Sequence, residues 1–259
     1  MDEDNKIQVR RKLDNGMVIN PYIKYRNSGK YQVIDFQQDQ SFMQNLMQAI
    51  EHPELYNRHV CVTKAEGTGK TFRLKMIETL LSNKYTTEEN IKVIETPKEK
   101  YKVISLNFKD IFEETQFMGN IDNKNEFDLF IDNIINTILY EVGLNNITWE
   151  STQGFDGKDN ISRMRAIKKI TGLIFLINEW AYPFEINQHF TREEVKAFDR
   201  LLKYLFVNNE NVLLTYLTGT SKMKDFDLDS CKYFTQISDD SEDGLGSYFL
   251  KEPVIDETH

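Results

Sequence analysis

The apolar positions of this chain fall into two kinds of run. Some are short and nearly continuous: Arg58–Lys64, Leu173-Ile174-Phe175-Leu176-Ile177 and Val212–Leu217. They alternate too little for half-exposed strands and predict strands buried on both faces, as in a parallel sheet. Others recur at steps of three and four. Phe42, Leu46 and Ile50, with Met43 and Met47 beside them, predict an amphipathic helix over 41–50, starting near Gln40–Ser41 and stopped by Pro53. Leu74, Ile77, Leu80 and Leu81 give a packing face to a helix over 69–82. Phe127, Phe130, Ile131, Ile134, Ile135, Ile138 and Leu139 predict another, and a short basic helix is expected from Ile161 to Ile170. Val195, Phe198, Leu201, Leu202, Leu205 and Phe206 set a helix over 191–206, where Thr191 and Glu194 fit a capping box.

The intervening stretches are less regular. Residues 1–30 are polar with little periodicity and read as an N-terminal extension to a domain over 31–259. Asn20-Pro21 and Ser28-Gly29 mark turns. Tyr31–Phe36 reads as a short strand or an extended lead-in. Ile91–Ile94 and Tyr101–Phe108 flank Pro97, as a hairpin or as two unrelated strands. Residues 110–124 read as an acidic loop and 143–160 as a surface loop. Lys232–Ile237 is a candidate last strand in a tail that turns acidic from about residue 225. Strands alternate with helices from residue 58 onward, which predicts an α/β fold with a doubly wound, mainly parallel sheet and helices on both faces.

Composition narrows this picture. With 259 residues, 40% of them hydrophobic, the chain can build one large α/β domain or two small ones. A net charge of −9 argues against a surface that binds nucleic acid broadly, because phosphate binding needs concentrated Lys and Arg. No run approaches 18 apolar residues, so no membrane span is expected. Met1-Asp2-Glu3-Asp4-Asn5 is unlike a secretory signal. Cys61 and Cys231 make neither a disulfide framework nor a metal cluster and read as small buried thiols. The expected compartment is the cytoplasm.

The candidate chemistry centres on Lys64-Ala65-Glu66-Gly67-Thr68-Gly69-Lys70-Thr71. A β-branched run enters a glycine-rich turn that ends in Gly-Lys-Thr, and an apolar periodic segment follows. That order is strand, phosphate loop, helix. Backbone N–H groups in such a turn surround an anion, and the helix N-terminus adds partial positive charge. Lys70 would reach the outer phosphates, and the Thr71 hydroxyl would ligate Mg²⁺. The full pattern is G-x-x-x-x-G-K-[ST], and Lys64 occupies its first glycine position. The expected fold is therefore P-loop NTPase-like. The competing reading is an ordinary Gly-rich turn that binds no phosphate.

Two further polar clusters follow apolar strands. Leu173–Ile177 ends in Asn178-Glu179, where P-loop ATPases carry Asp-Glu: the Asp holds Mg²⁺ through its water shell and the Glu activates the attacking water. Asn178 carries no charge, so metal binding should weaken, because Mg²⁺ favours carboxylates. Glu179 remains able to act as a base, although the pair also reads as a strand-end cap. Val212–Leu217 ends in Thr218-Gly219-Thr220-Ser221, whose hydroxyls either face a γ-phosphate or satisfy their own turn. All three clusters lie at strand C-terminal ends, where doubly wound sheets bind ligands.

From about residue 31 to 240 these pieces, in order, resemble a predicted AAA-ATPase-like family of bacteria, often fused to a PD-(D/E)XK nuclease domain. Tyr31-Gln32-Val33-Ile34-Asp35 is similar to the family's Y-x-V-D-K-T box, with Phe36 and Gln37 at the usual Lys and Thr. Lys64–Thr71 resembles its R-P-R-R-F-G-K-S loop, Leu176–Pro183 its L-I-D-E-Y-D-x-P motif, and Leu217–Lys222 its L-T-G-x-S-R motif. Asn178 and Ala181 replace both aspartates, the loop arginines are missing, and Lys222 stands for the late arginine. No counterpart of the nuclease domain is expected in a chain ending at His259.

The expected function is ATP binding through Lys64, Gly67, Thr68, Gly69, Lys70, Thr71 and Thr218, with Thr71 and Asn178 at Mg²⁺ and Glu179 as the catalytic base of a hydrolysis that drives conformational change. The alternative is a degenerate P-loop domain serving as a non-hydrolysing switch or an interaction scaffold. A domain with a vestigial turn and no nucleotide is the third reading. Expected partners are ATP and either a second copy or another protein.

Overall fold

The three continuous apolar runs and the segment Tyr101–Phe108 supply neighbouring strands of one sheet. A computed structural model describes residues 11–12, 18–19, 22–27, 30–35, 40–52, 56–65, 69–81, 101–118, 125–144, 159–187 and 190–238. In chain order the elements are β1 (Arg11–Lys12), β2 (Val18–Ile19), β3 (Tyr22–Asn27), β4 (Lys30–Asp35), α1 (Gln40–Glu51), β5 (His59–Thr63), α2 (Lys70–Leu81), β6 (Lys102–Asn107), α3 (Phe108–Met118), α4 (Glu126–Glu141), α5 (Asp159–Ile167), β7 (Leu173–Asn178), α6 (Tyr182–Ile186), α7 (Arg192–Leu202), β8 (Val212–Gly219) and β9 (Thr235–Ser238). The strand order of the main sheet is β6-β7-β8-β5-β9, and every pairing is parallel. Two antiparallel pairs precede it, β1 with β2 and β3 with β4. The region read as a polar extension thus holds strands, and β4 makes Tyr31–Asp35 strand, with Phe36 outside the described residues. The β3–β4 register runs from Tyr22↔Asp35 to Asn27↔Lys30, on either side of Ser28-Gly29.

Alternation along the buried strands divides the core in two. Val60, Val62, Ile174, Leu176, Leu214 and Tyr216 face a core built with α1 and α2, where Met47, Leu74 and Ile77 are buried. Cys61, Leu173, Phe175, Ile177 and Leu217 face the other, built with α3, α4 and α7. That second core is aromatic. Phe108 meets Phe130 edge-on at 5.6 Å, and Phe184 meets Phe198 at 4.9 Å. Each fully buried Phe contributes on the order of 1.5–3 kcal/mol from area removed from water.

The chain leaves β5 over the α1/α2 face, crosses to β6 at the sheet edge, and returns through β7 and β8 over the aromatic face. β5 and β8 are adjacent, yet their outgoing connections run to opposite faces. Such a reversal opens a crevice beyond the strand C-termini.

Several expectations are corrected. The stretch read as a loop from residue 110 is helical as far as Met118. Phe108, Ile111, Phe112 and Thr115 form a stripe at steps of three and four, all buried, and the acidic residues between them hide it in the sequence. The helix over 191–206 holds, with its capping box between Thr191 and Glu194, but its last turn widens to a π-turn over Lys203–Val207, closed by Asn208 N–H on the Lys203 carbonyl at 2.7 Å. The candidate strand Lys232–Ile237 begins only at Thr235, after a 3-10 turn over Asp229–Tyr233. Ile91–Ile94, most of 143–160 and the tail beyond Ser238 lie outside the described residues. No described helix is long and apolar enough to cross a membrane.

Candidate functional site

The turn after β5 starts as a continuation of the sheet. Lys64 N–H donates to the Gly219 carbonyl of β8 at 3.1 Å. Gly69 has φ +82, a left-handed backbone that costs an L-residue about 1–2 kcal/mol. A Cβ there would meet nothing within 4 Å, so conformation, and not space, calls for glycine. Arg73 N–H on the Gly69 carbonyl, at 3.0 Å, is the first bond of α2. The N–H groups of Lys70, Thr71 and Phe72 therefore have no acceptor inside the helix, and its positive end points at the turn.

Lys70 is buried, and its ammonium folds back on the turn. Nζ donates to the Lys64 carbonyl at 2.5 Å and to the Ala65 carbonyl at 2.9 Å. A buried ammonium is tolerated only where its donors are met, and here the turn itself meets them. Thr71 is exposed in the first turn of α2. Gly67 and Thr68 lie outside the described residues.

β8 separates this turn from the end of β7 by two strand spacings, roughly 10 Å. Asn178, the last residue of β7, is half-buried, and its Oδ1 accepts the Thr218 hydroxyl at 2.8 Å. Glu179 follows with φ +50, an unusual backbone for a residue with a side chain. The bend returns Trp180 to the sheet, where its N–H donates to the Thr218 carbonyl at 3.1 Å. The indole is buried against Gly219; a Cβ at that position would lie 2.9 Å from Cδ1 and Nε1. Here it is space that calls for glycine.

The remaining strand-end hydroxyls have a partner that sequence reasoning missed. Glu185, in the short helix α6, accepts Thr220 Oγ1 at 2.6 Å and also the Ser221 hydroxyl. Its only local signal is its place just after Pro183, which carries no chemistry. Lys64, Gly69, Lys70, Thr71, Asn178, Glu179 and Thr218 thus gather at one edge of the sheet, as expected, while Thr220 and Ser221 are spent on Glu185. Burial pushes the Cys61 thiol up to about 12, so it is a packed apolar group and no nucleophile.

The donors for a metal are few. Thr71 offers one hydroxyl, and the carbonyl oxygen of Asn178 is already engaged. Among the described residues no three Cys, His, Asp or Glu side chains group closely enough to hold a metal ion. This set does not make a Mg²⁺ site of the protein's own, since Mg²⁺ takes near-octahedral oxygen ligation with one or two carboxylates. The chain matches no protein-family model and no curated protein.

Proposed function

We propose that this chain is a P-loop-type module that binds a nucleoside triphosphate of the ATP class at the crevice between β5 and β8. One observation carries the reading: Lys70, buried, folds onto a Gly69-capped turn at the C-terminal end of a central strand. Among the described residues, the acceptors that meet Lys70 there are the backbone carbonyls of Lys64 and Ala65. On binding, Lys70 Nζ exchanges its two carbonyl acceptors for phosphate oxygens. The free N–H groups of the first turn of α2 donate to the same phosphates. Gly67 and Thr68 belong to this loop by sequence. The motif resemblance to the bacterial AAA-ATPase-like family points the same way.

Two outcomes follow binding. In one, Glu179 takes a proton from the attacking water, and its left-handed backbone at the strand end is the kind of strain found at functional positions. In the other, nucleotide acts as a switch without turnover, which Asn178 and Ala181 favour. The test is calorimetric titration with ATP, paired with phosphate release. Lys70→Ala should weaken binding roughly ten- to a hundredfold, the worth of hydrogen bonds to a charged group. Equal affinity in that variant, with unchanged circular dichroism, would sink the proposal, as would wild-type protein that takes no nucleotide.

A further inference from the structure

We infer that the site grips phosphate with hydrogen-bond donors alone, so that its nucleotide affinity does not depend on a divalent cation. The inference rests on the nucleotide reading above and specifies the ligand form. Thr218 is almost wholly buried, and its hydroxyl donates to Asn178 Oδ1 at 2.8 Å. The hydroxyl meets the oxygen end of the amide. With its oxygen turned to Thr218, Asn178 keeps Nδ2 for the strand end, and Nδ2 finds no acceptor among the described residues. An amide NH₂ has two donors and no lone pair to offer a cation. The strand end that would bring a cation ligand in an Asp-Glu motif brings an anion donor here.

The other groups have the same polarity. Lys70 contributes an ammonium with three donors, and the start of α2 contributes N–H groups and the positive end of its dipole. Glu185 is occupied by Thr220 and Ser221. Among the described residues Glu179 is the carboxylate next to Asn178 in the chain, and one carboxylate with the Thr71 hydroxyl falls short of a Mg²⁺ shell. Phosphate charge is therefore answered by Lys70, Asn178 and α2, which is the work a cation does elsewhere.

The experiment titrates the full chain with ATP, once in excess EDTA and once in millimolar Mg²⁺. The two dissociation constants are expected to agree within about threefold. Tightening by more than that on adding Mg²⁺ overturns the inference while leaving the nucleotide reading intact; absence of binding in both buffers overturns both. Asn178→Asp exchanges the donor for a carboxylate and should weaken binding in EDTA by about tenfold, with Mg²⁺ restoring it. Thr218→Val is a second variant of nearly the same shape. It releases the amide to turn its oxygen outward, and Mg²⁺ should then tighten binding; a variant as indifferent to Mg²⁺ as wild type would show that Thr218 does not set the polarity of this strand end.

Discussion

At the N-terminal edge of the sheet, His59 of β5 lies in register with Thr215 of β8, and both are buried. Neither His59 Nδ1 nor Thr215 Oγ1 has a hydrogen-bond partner among the described residues. His59 instead packs on Phe234, with ring centroids 5.6 Å apart. At the C-terminal edge of the same two strands, Lys70, Asn178 and Thr218 are hydrogen-bonded, and the backbone is bent into left-handed conformations at Gly69 and Glu179. Among the described residues, the first edge leaves His59 Nδ1 and Thr215 Oγ1 unpaired on an ordinary backbone; the other pairs Lys70, Asn178 Oδ1 and Thr218 on an unusual one, with Trp180 Nε1 left unpaired. The difference separates an edge that only packs from one whose backbone is bent beyond the strand ends.

The largest expected effect tests the packing edge. Burial first, and then the neighbouring Arg58, pushes the His59 imidazole down to about 3. The unfolded chain takes up that proton near pH 6.5. Between pH 6.5 and about 3 the unfolded state therefore binds more protons, and stability falls as pH falls; above pH 6.5 this contribution is flat. Chemical denaturation of wild type and His59→Gln should show the wild type losing about 3 kcal/mol more than the variant between pH 7 and 4. Parallel pH profiles would place the charge sensitivity elsewhere.

Next comes the crowding at the C-terminal edge. Gly219→Ala forces a methyl into Trp180 and should lower stability by about 1–3 kcal/mol, read from the urea midpoint. A midpoint unchanged from wild type would mean that the indole moves aside freely. The smallest effect is expected at Gly69→Ala, where there is room but the backbone is strained, costing about 1–2 kcal/mol. If stability holds there while ATP affinity falls, the turn has relaxed to a shape that no longer receives phosphate.

Much of this was legible in the chain. β5, β7 and β8 declare themselves as apolar runs because a strand covered on both faces has no polar side to reveal. α7 announces its start through Thr191 and Glu194, whose reciprocal bonds are a local device. Gly69 and Lys70 were readable because strand, turn and helix are contiguous. What stayed hidden depends on distance in sequence. α3 was obscured by Asp110, Glu113 and Glu114, which sit on the outer side of a buried stripe. Glu185 was missed because its partners lie 35 and 36 residues further along. The engagement of Asn178 by Thr218 spans 40 residues, and a lone Asn gives no hint of which end of its amide is spoken for. Strand order was also invisible, and with it the crevice between β5 and β8.

The sheet between the two cores has a consequence for how the chain can change over time. Among the described residues, the buried side chains of α2 (Leu74, Met76, Ile77, Leu81) and those of α7 (Phe198, Leu201, Leu202) belong to different cores on opposite sides of the strands. Substitutions on opposite sides should combine additively, whereas those within one side must be accommodated together. The aliphatic layer and the phenylalanine layer can therefore drift independently, each repacking at its own pace, while the strands between them hold the turns at their C-terminal ends to a common frame.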